Sequence, residues 1–123
     1  LYPEMTLGEN LGFTADARGM ARDRVGEALR SVGLAGAVDR ITDRCSHGMQ
    51  RRAEFARILM IEPTILLLDE PHSALDADAV DLVDALVERT LDAGGAAVLV
   101  SHDRERVEGL AHRTVEISGG TIG

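Results

Sequence analysis

Apolar positions recur at helical spacing in the first half of the chain and gather into continuous runs in the second half. Spacings of three and four residues predict a helix over 21–33 and a longer helix over 46–61, which Pro63 stops. Residues 1–20 are expected to be mostly loop, with one short helix that Thr6 caps. The first sixty residues are therefore predicted to be helical.

The second half of the chain predicts a strand, a helix and a second strand, followed by a short helix and a hairpin. Their expected ranges are 64–69, 78–92, 96–100, 103–111 and 114–122. Asp76 or Asp78 should cap the first of these helices. The order predicts a βαβ unit with parallel strands. Both strands are continuous apolar runs, so we expect each to be buried on both faces of the sheet.

The composition narrows the class of protein. With 123 residues, 45% of them hydrophobic, the chain is expected to form one small globular unit. A net charge of −8 argues against DNA or RNA as the main partner. Cys45 is the single cysteine and cannot form an internal disulfide, which fits a reducing compartment. The chain contains no lysine, and all 13 basic residues are arginine.

Two adjacent carboxylates, Asp69 and Glu70, follow the first predicted strand and precede Pro71. The carboxyl ends of strands are where open α/β sheets bind ligands. Neighbouring carboxylates repel one another unless a cation lies beside them, and hydrated Mg²⁺ is the usual cation where the ligand is a phosphate. A solvated acidic turn is the alternative that this run alone leaves open.

Two further segments carry candidate chemistry. Ser46, His47 and Gly48 open the longest helix of the first half, and a helix N-terminus presents free N–H groups to an anion. An ordinary serine cap is the alternative. His102 follows the second predicted strand, so parallel pairing should bring it near Glu70. A capping or surface histidine is the alternative there.

Together these segments resemble the motifs of the ATP-binding cassette (ABC) ATPases, in order and at similar spacing. Ser46–Gln50 stands at the signature sequence, Ile65–Glu70 at the Walker B strand with its following glutamate, Ser73–Asp76 at the D-loop and His102 at the switch histidine. The segment Leu1–Thr6 is similar to the one that follows the family's glutamine loop.

The resemblance implies an α/β fold: part of a P-loop NTPase (RecA-like) ABC core with parallel strands, plus a helical signature subdomain. We expect the helical subdomain at 1–62 and the C-terminal half of the ATPase core at 63–123. A P-loop needs Gly-x-x-x-x-Gly-Lys-Ser/Thr, which a chain without lysine cannot contain. The expectation is therefore the C-terminal portion of a longer cassette, inactive by itself.

The resemblance also implies catalytic roles. Asp69 would hold Mg²⁺, and Glu70 would act as the general base on the water that attacks the γ-phosphate of ATP. His102 would contact that phosphate. Asp76 would cross a dimer interface and couple the two sites of a paired cassette. His72 is assigned no role.

The signature segment would bind ATP held by the opposite cassette, through Ser46 and Gly48 with the intervening His47 and the following Met49. His47 replaces the family's first glycine and Met49 its glutamine, whereas Ser46 and Gly48 are retained. The retained residues are the ones that best explain phosphate binding.

The hypothesis that follows is the ATP-binding subunit of an ABC transporter at the cytoplasmic face of the membrane. A separate transmembrane permease would contact its helical region. The Ser-x-Gly-Met form favours an exporter-type cassette, such as the haem exporter of cytochrome c maturation or a multidrug or lipid exporter. Two alternatives remain open at this point: a soluble non-transport ATPase of the same family, and a non-enzymatic binding module with an acidic rim.

Overall fold

The first half of the chain is helical in the computed structural model, which describes residues 1–73 and 75–123. Helix α1 spans Leu7–Ala17, α2 spans Asp23–Ser31 and α3 spans His47–Ile61. Short 3₁₀ turns lie at Ala35–Ala37 and Thr42–Arg44. The stretch expected to be mostly loop thus forms an 11-residue helix, which begins with a reciprocal cap between Thr6 and Glu9.

The second half contains the predicted strand, helix and strand. They are β1 (Ile65–Asp69), α4 (Ala77–Asp92) and β2 (Ala96–Val100), followed by α5 (Arg104–Leu110), β3 (Ile117–Ser118) and β4 (Thr121–Ile122). Strands β1 and β2 pair in parallel, with Asp69 opposite Val100, so the predicted βαβ order is confirmed. The hairpin is shorter than predicted, because β3 and β4 have two residues each.

One hydrophobic core joins the two halves. Leu7 and Leu11 of α1 and Leu29 of α2 are fully buried, and α4 contributes Val83 to the same cluster. Phe55 on α3 is also buried. The core therefore fixes α3 against both α2 and α4, which sets where each end of α3 lies.

The prediction that both strands are buried on two faces was wrong. Leu66 and Leu68 are 4% and 9% exposed, whereas Ile65 and Leu67 are 65% and 73% exposed. Successive side chains of a strand point to opposite faces. Helix α4 contacts the sheet, and no other described element covers the face that carries Leu67.

A polar side chain of α3 also makes internal contacts. The Gln50 side-chain amide donates to the carbonyl oxygens of Thr42 and Cys45, at 2.9 and 3.2 Å. These bonds tie the first turns of α3 to the segment that precedes it. Across residues 1–73 and 75–123, no helix combines the length and apolar character that a membrane crossing requires.

Candidate functional site

The ends of the two paired strands form the centre of the site. Parallel strands run in the same direction, so β1 and β2 finish at the same edge of the sheet. The Glu70 N–H donates to the Val100 carbonyl over 2.7 Å, which continues the pairing one residue past β1. The loops after both strands therefore start side by side.

Glu70 and His102 are in contact at this edge. The Nδ1 atom of His102 pairs with Oε1 of Glu70, as the parallel pairing predicts. The His102 side chain is 95% exposed and that of Glu70 is 33% exposed. The imidazole therefore lies on the outer side of the carboxylate, where a ligand has direct access to both groups.

Glu70 adopts a left-handed backbone conformation, with a φ of 47°. This region is uncommon for residues other than glycine, and such positions concentrate at functional sites. Two donors hold the Glu70 carbonyl in place: the Ser73 N–H at 3.2 Å and the Arg51 guanidinium at 3.0 Å. The turn that carries the carboxylate is thus fixed from its own loop and from α3.

Arg51 is a site residue that the sequence analysis did not identify. Its guanidinium lies 5.9 Å from the centre of the Phe55 ring while one nitrogen donates to Glu70. Its Nε atom is buried, and the described residues offer it no partner. The turn of α3 that carries Arg51 faces β1 because of the tertiary packing. The local sequence therefore gives no signal for this contact.

The start of α3 combines a serine cap with exposed backbone amides. Ser46 Oγ accepts from the Met49 N–H over 3.1 Å, which is the ordinary cap. The N–H groups of His47 and Gly48 lie in the first turn, where a helix supplies no acceptor. Ser46, His47 and Gly48 are all exposed.

Gly48 and Met49 differ in what surrounds them. A Cβ atom on Gly48 would meet nothing closer than Ser46 Oγ at 3.9 Å, so the chain's own packing does not require a glycine there. The Met49 side chain instead packs against the core. The Met49 side chain is therefore turned towards the core, and its N–H is occupied by the Ser46 cap.

An open cleft of about 680 Å³ lies between the start of α3 and the end of β1. Its walls include His47, Gly48, Arg51, Asp69 and Glu70. The structure thus brings the first turn of α3 and the acidic strand end to one cleft of the same chain. The expected role of the first turn of α3 towards ATP of the opposite cassette stays a prediction.

Asp76 makes its contacts within this chain. It caps α4 by accepting from the Ala79 N–H at 2.8 Å, and it pairs with the Arg52 guanidinium at 2.9 Å. The Ala79 hydrogen bond is the main reason that the pKa of Asp76 lies below its ordinary value; desolvation opposes it in part, and Arg52 lowers the pKa further. The predicted cap at Asp76 is confirmed, and its role across a dimer interface stays a prediction.

The carboxylates suit a hydrated magnesium ion rather than an all-protein metal cage. In the described part of the chain, no group of three or more His, Cys, Asp and Glu residues could hold a metal by itself. Mg²⁺ keeps several waters and is bound through one or two carboxylates together with substrate phosphates. Asp69 is exposed and lines the cleft beside Glu70, so the residues present fit such an ion.

Comparison with known proteins places these features in a family. The sequence pattern of the ABC transporter family matches residues 1–73. A solved structure described as the ATP-binding subunit of an ABC transporter superposes with a TM-score of 0.81 at 28% identity. The match covers 100% of this chain and 54% of that one. The predicted α/β fold is confirmed.

Three curated proteins that are similar to this chain are named as ATP-binding proteins of import systems. The thiamine import protein of Cereibacter sphaeroides is 40% identical over 98% of this chain. The sulfate/thiosulfate import protein of Agrobacterium fabrum is also 40% identical, and an Fe(3+) ions import protein of Haemophilus influenzae is 34% identical, each over 99% of this chain. The chain spans 54% of the first relative and 38% and 39% of the other two. These relatives do not support the expected exporter-type cassette.

Proposed function

Since the chain belongs to the ABC transporter family, we propose that it forms part of an ATP-binding subunit that hydrolyses ATP to power transport. The observation that carries the proposal is the contact between Glu70 and His102 at the shared end of two parallel strands. Asp69 lies next to Glu70 on the same strand end. The residues that we propose as the base, the phosphate contact and the metal carboxylate therefore lie at one edge of the sheet.

Glu70 is proposed as the general base. A carboxylate held at a fixed strand end can accept a proton from water as the water attacks the γ-phosphate. His102 is proposed to contact that phosphate and to keep the carboxylate and the phosphate aligned. Asp69 would hold Mg²⁺, which neutralises charge on the β- and γ-phosphate oxygens when bound. Most of the rate gain in such chemistry comes from positioning and charge stabilisation.

The first turn of α3 is proposed as a phosphate contact. The exposed amides of His47 and Gly48 lie at the positive end of the helix dipole, which favours an anion. Gly48 lets a phosphate approach the backbone because no Cβ stands in the way. We propose that Ser46, Gly48 and His47 bind ATP held by a second cassette, as the family resemblance implies.

We propose import as the direction of transport. The support comes from the relatives, whose names describe import of thiamine, sulfate or thiosulfate, and Fe(3+) ions. A separate transmembrane permease would be the partner, with the cassette bound peripherally at the membrane. Asp76 is proposed to couple paired cassettes, for which it would exchange its Arg52 contact for one across the interface.

The helical half offers a surface that suits a permease. Tyr2 and Phe13 are 53% and 59% exposed, and their rings meet edge to face with centroids 6.1 Å apart. A cavity of about 390 Å³ beside them is also lined by Arg18 and Arg57. Exposed aromatic residues next to arginine are typical of protein interfaces.

The proposal is tested in a graft that replaces the matching region of the Cereibacter sphaeroides thiamine import protein with this chain. The graft should release phosphate from MgATP, and cells that carry it should accumulate thiamine. Glu70→Gln should retain ATP binding and lower turnover at least about 10²-fold, because the amide cannot accept the proton. Glu88→Gln, an exposed change on α4, is the matched control. Near-normal turnover of the Glu70→Gln graft would remove Glu70 from the role of base.

A further inference from the structure

His72 is buried although it belongs to the loop that carries Glu70. Its side chain is 7% exposed, and Nε2 lies 2.7 Å from Oδ1 of Asp84 on α4. A carboxylate only accepts hydrogen bonds, so Nε2 is assigned the proton. Nδ1 is buried and finds no partner among the described residues.

Asp84 uses its second oxygen on the other side. The Arg106 guanidinium of α5 donates to Asp84 Oδ2 over 3.2 Å. The backbone N–H of Arg106 donates to Oδ1 of Asp103 at 3.1 Å, and the Arg106 Nε atom lies 3.8 Å from Oδ2 of the same carboxylate. Asp103 directly follows His102 in the sequence. The contacts therefore lead from the Glu70 loop through α4 to the His102 loop.

The contact between His102 and Glu70 closes this path into a ring. Each of the two loops thus contacts the other loop directly and is also linked to Asp84. Aspartate is a poor residue for a helix interior, since its side chain competes for backbone hydrogen bonds. Asp84 lies in the middle of α4 with its side chain 26% exposed, and its two contacts to other elements explain an aspartate at this position.

We propose that Asp84 is a positioning residue that fixes the Glu70 loop relative to the His102 loop. It acts through His72 on one side and through Arg106 on the other. The inference rests on the proposed function, in which Glu70 and His102 serve the same phosphate. Without Asp84, the contacts left between the two loops among the described residues would be the pairing of His102 with Glu70 and the strand pairing beneath it.

The test uses the 123-residue chain and nuclear magnetic resonance at neutral pH. The ring ¹⁵N shifts of His102 report its contact with Glu70, and they are assigned from single His→Gln variants. In Asp84→Asn the His102 shifts should move towards those of the exposed His112, and the Glu70 amide should exchange about tenfold faster. Asp81→Asn, the same change on an exposed position of α4, should leave both signals unchanged.

The proposal is overturned if Asp84→Asn releases His72 while the His102 shifts and the Glu70 exchange rate stay at their original values. A second variant covers the case in which Asp84→Asn does not fold. Arg106→Gln removes only the contact between α5 and Asp84. It should free His102 from Glu70, while His72 keeps its Nε2–H form. Arg106→Lys should restore part of the contact with Asp84. Unchanged His102 signals in Arg106→Gln also refute the proposal.

The outcome is separable from that of the proposed function. An inactive unsubstituted graft would count against ATP hydrolysis and leave the magnetic resonance result standing. In an active graft, Asp84→Asn should lower kcat at least about tenfold with little change in KM, since the loops would be misplaced without loss of the phosphate-binding amides.

Discussion

The Arg51 guanidinium donates to the backbone carbonyl of Glu70 over 3.0 Å. Arg51 lies one turn into α3, and Glu70 is the residue with a left-handed backbone at the end of β1. The bond therefore joins the helix whose first turn is proposed to contact phosphate to the residue proposed as the base. A movement of α3 would be transmitted directly to the backbone that carries the Glu70 carboxylate.

Arg51→Met should destabilise the chain by about 1–2 kcal/mol, because the Glu70 carbonyl loses a charged donor while the side chain keeps its apolar length. Urea unfolding gives the free energy. Arg30→Met, on an exposed position of α2, is the control and should change stability by less than about 0.5 kcal/mol. Equal effects of the two substitutions would show that the bond to Glu70 contributes nothing.

The two faces of β1 should respond differently to truncation. Leu68 is 9% exposed and packs in the core, so Leu68→Ala should cost about 2–4 kcal/mol of unfolding free energy. Leu67 is 73% exposed, so Leu67→Ala should cost less than about 1 kcal/mol in the same chain. Both are measured by urea unfolding, and a large loss for Leu67→Ala would mean that its face is covered in solution.

Local signals in the sequence were sufficient for the caps and the strand pairing. Ser46 and Asp76 each precede a helical pattern, and a cap bond spans only three residues. The meeting of Glu70 with His102 followed from topology, since any parallel pairing of the two strands brings their ends together. These features depend on a few residues or on strand order alone.

The features that were missed depend on tertiary packing. The run of leucines in β1 does not specify which elements cover each face, so the exposure of Leu67 could not be predicted. The contact of Arg51 with Glu70 spans 19 residues, and that of His72 with Asp84 spans 12. Glycine and asparagine are the residues that usually mark a left-handed backbone position, and Glu70 is neither. Such contacts become visible only when α3 and α4 are placed on the sheet.

The cap at Asp76 should make stability depend on pH in the acidic range. Its folded pKa is lowered, so the contribution is complete above the ordinary value of 3.8 and is lost as pH falls through the folded pKa. Asp76→Asn keeps a cap acceptor but removes the charge. The unsubstituted chain should exceed Asp76→Asn in urea midpoint at neutral pH, and the difference should shrink in strong acid. A difference in urea midpoint that stays the same in strong acid would refute this contribution of the Asp76 charge.

Gly48 and Gly26 provide a matched pair for the phosphate contact. Both glycines are within helices, and neither would meet a close neighbour if it carried a Cβ. Alanine at either position should therefore leave the fold intact and raise stability by up to about 1 kcal/mol, because the unfolded chain loses freedom. Urea unfolding of the two variants establishes that they are equivalent in this respect.

In the graft, the two alanine variants should differ in ATP hydrolysis. A methyl group on Gly48 would stand between the first-turn amides and a bound phosphate, and displacement of a substrate by about 1 Å can cost up to about 10²-fold in rate. Gly48→Ala should therefore lower kcat/KM for MgATP at least about tenfold, whereas Gly26→Ala should match the unsubstituted graft. Equal turnover of the two variants would mean that no phosphate approaches the backbone at Gly48, and the first turn of α3 would then be a helix cap alone.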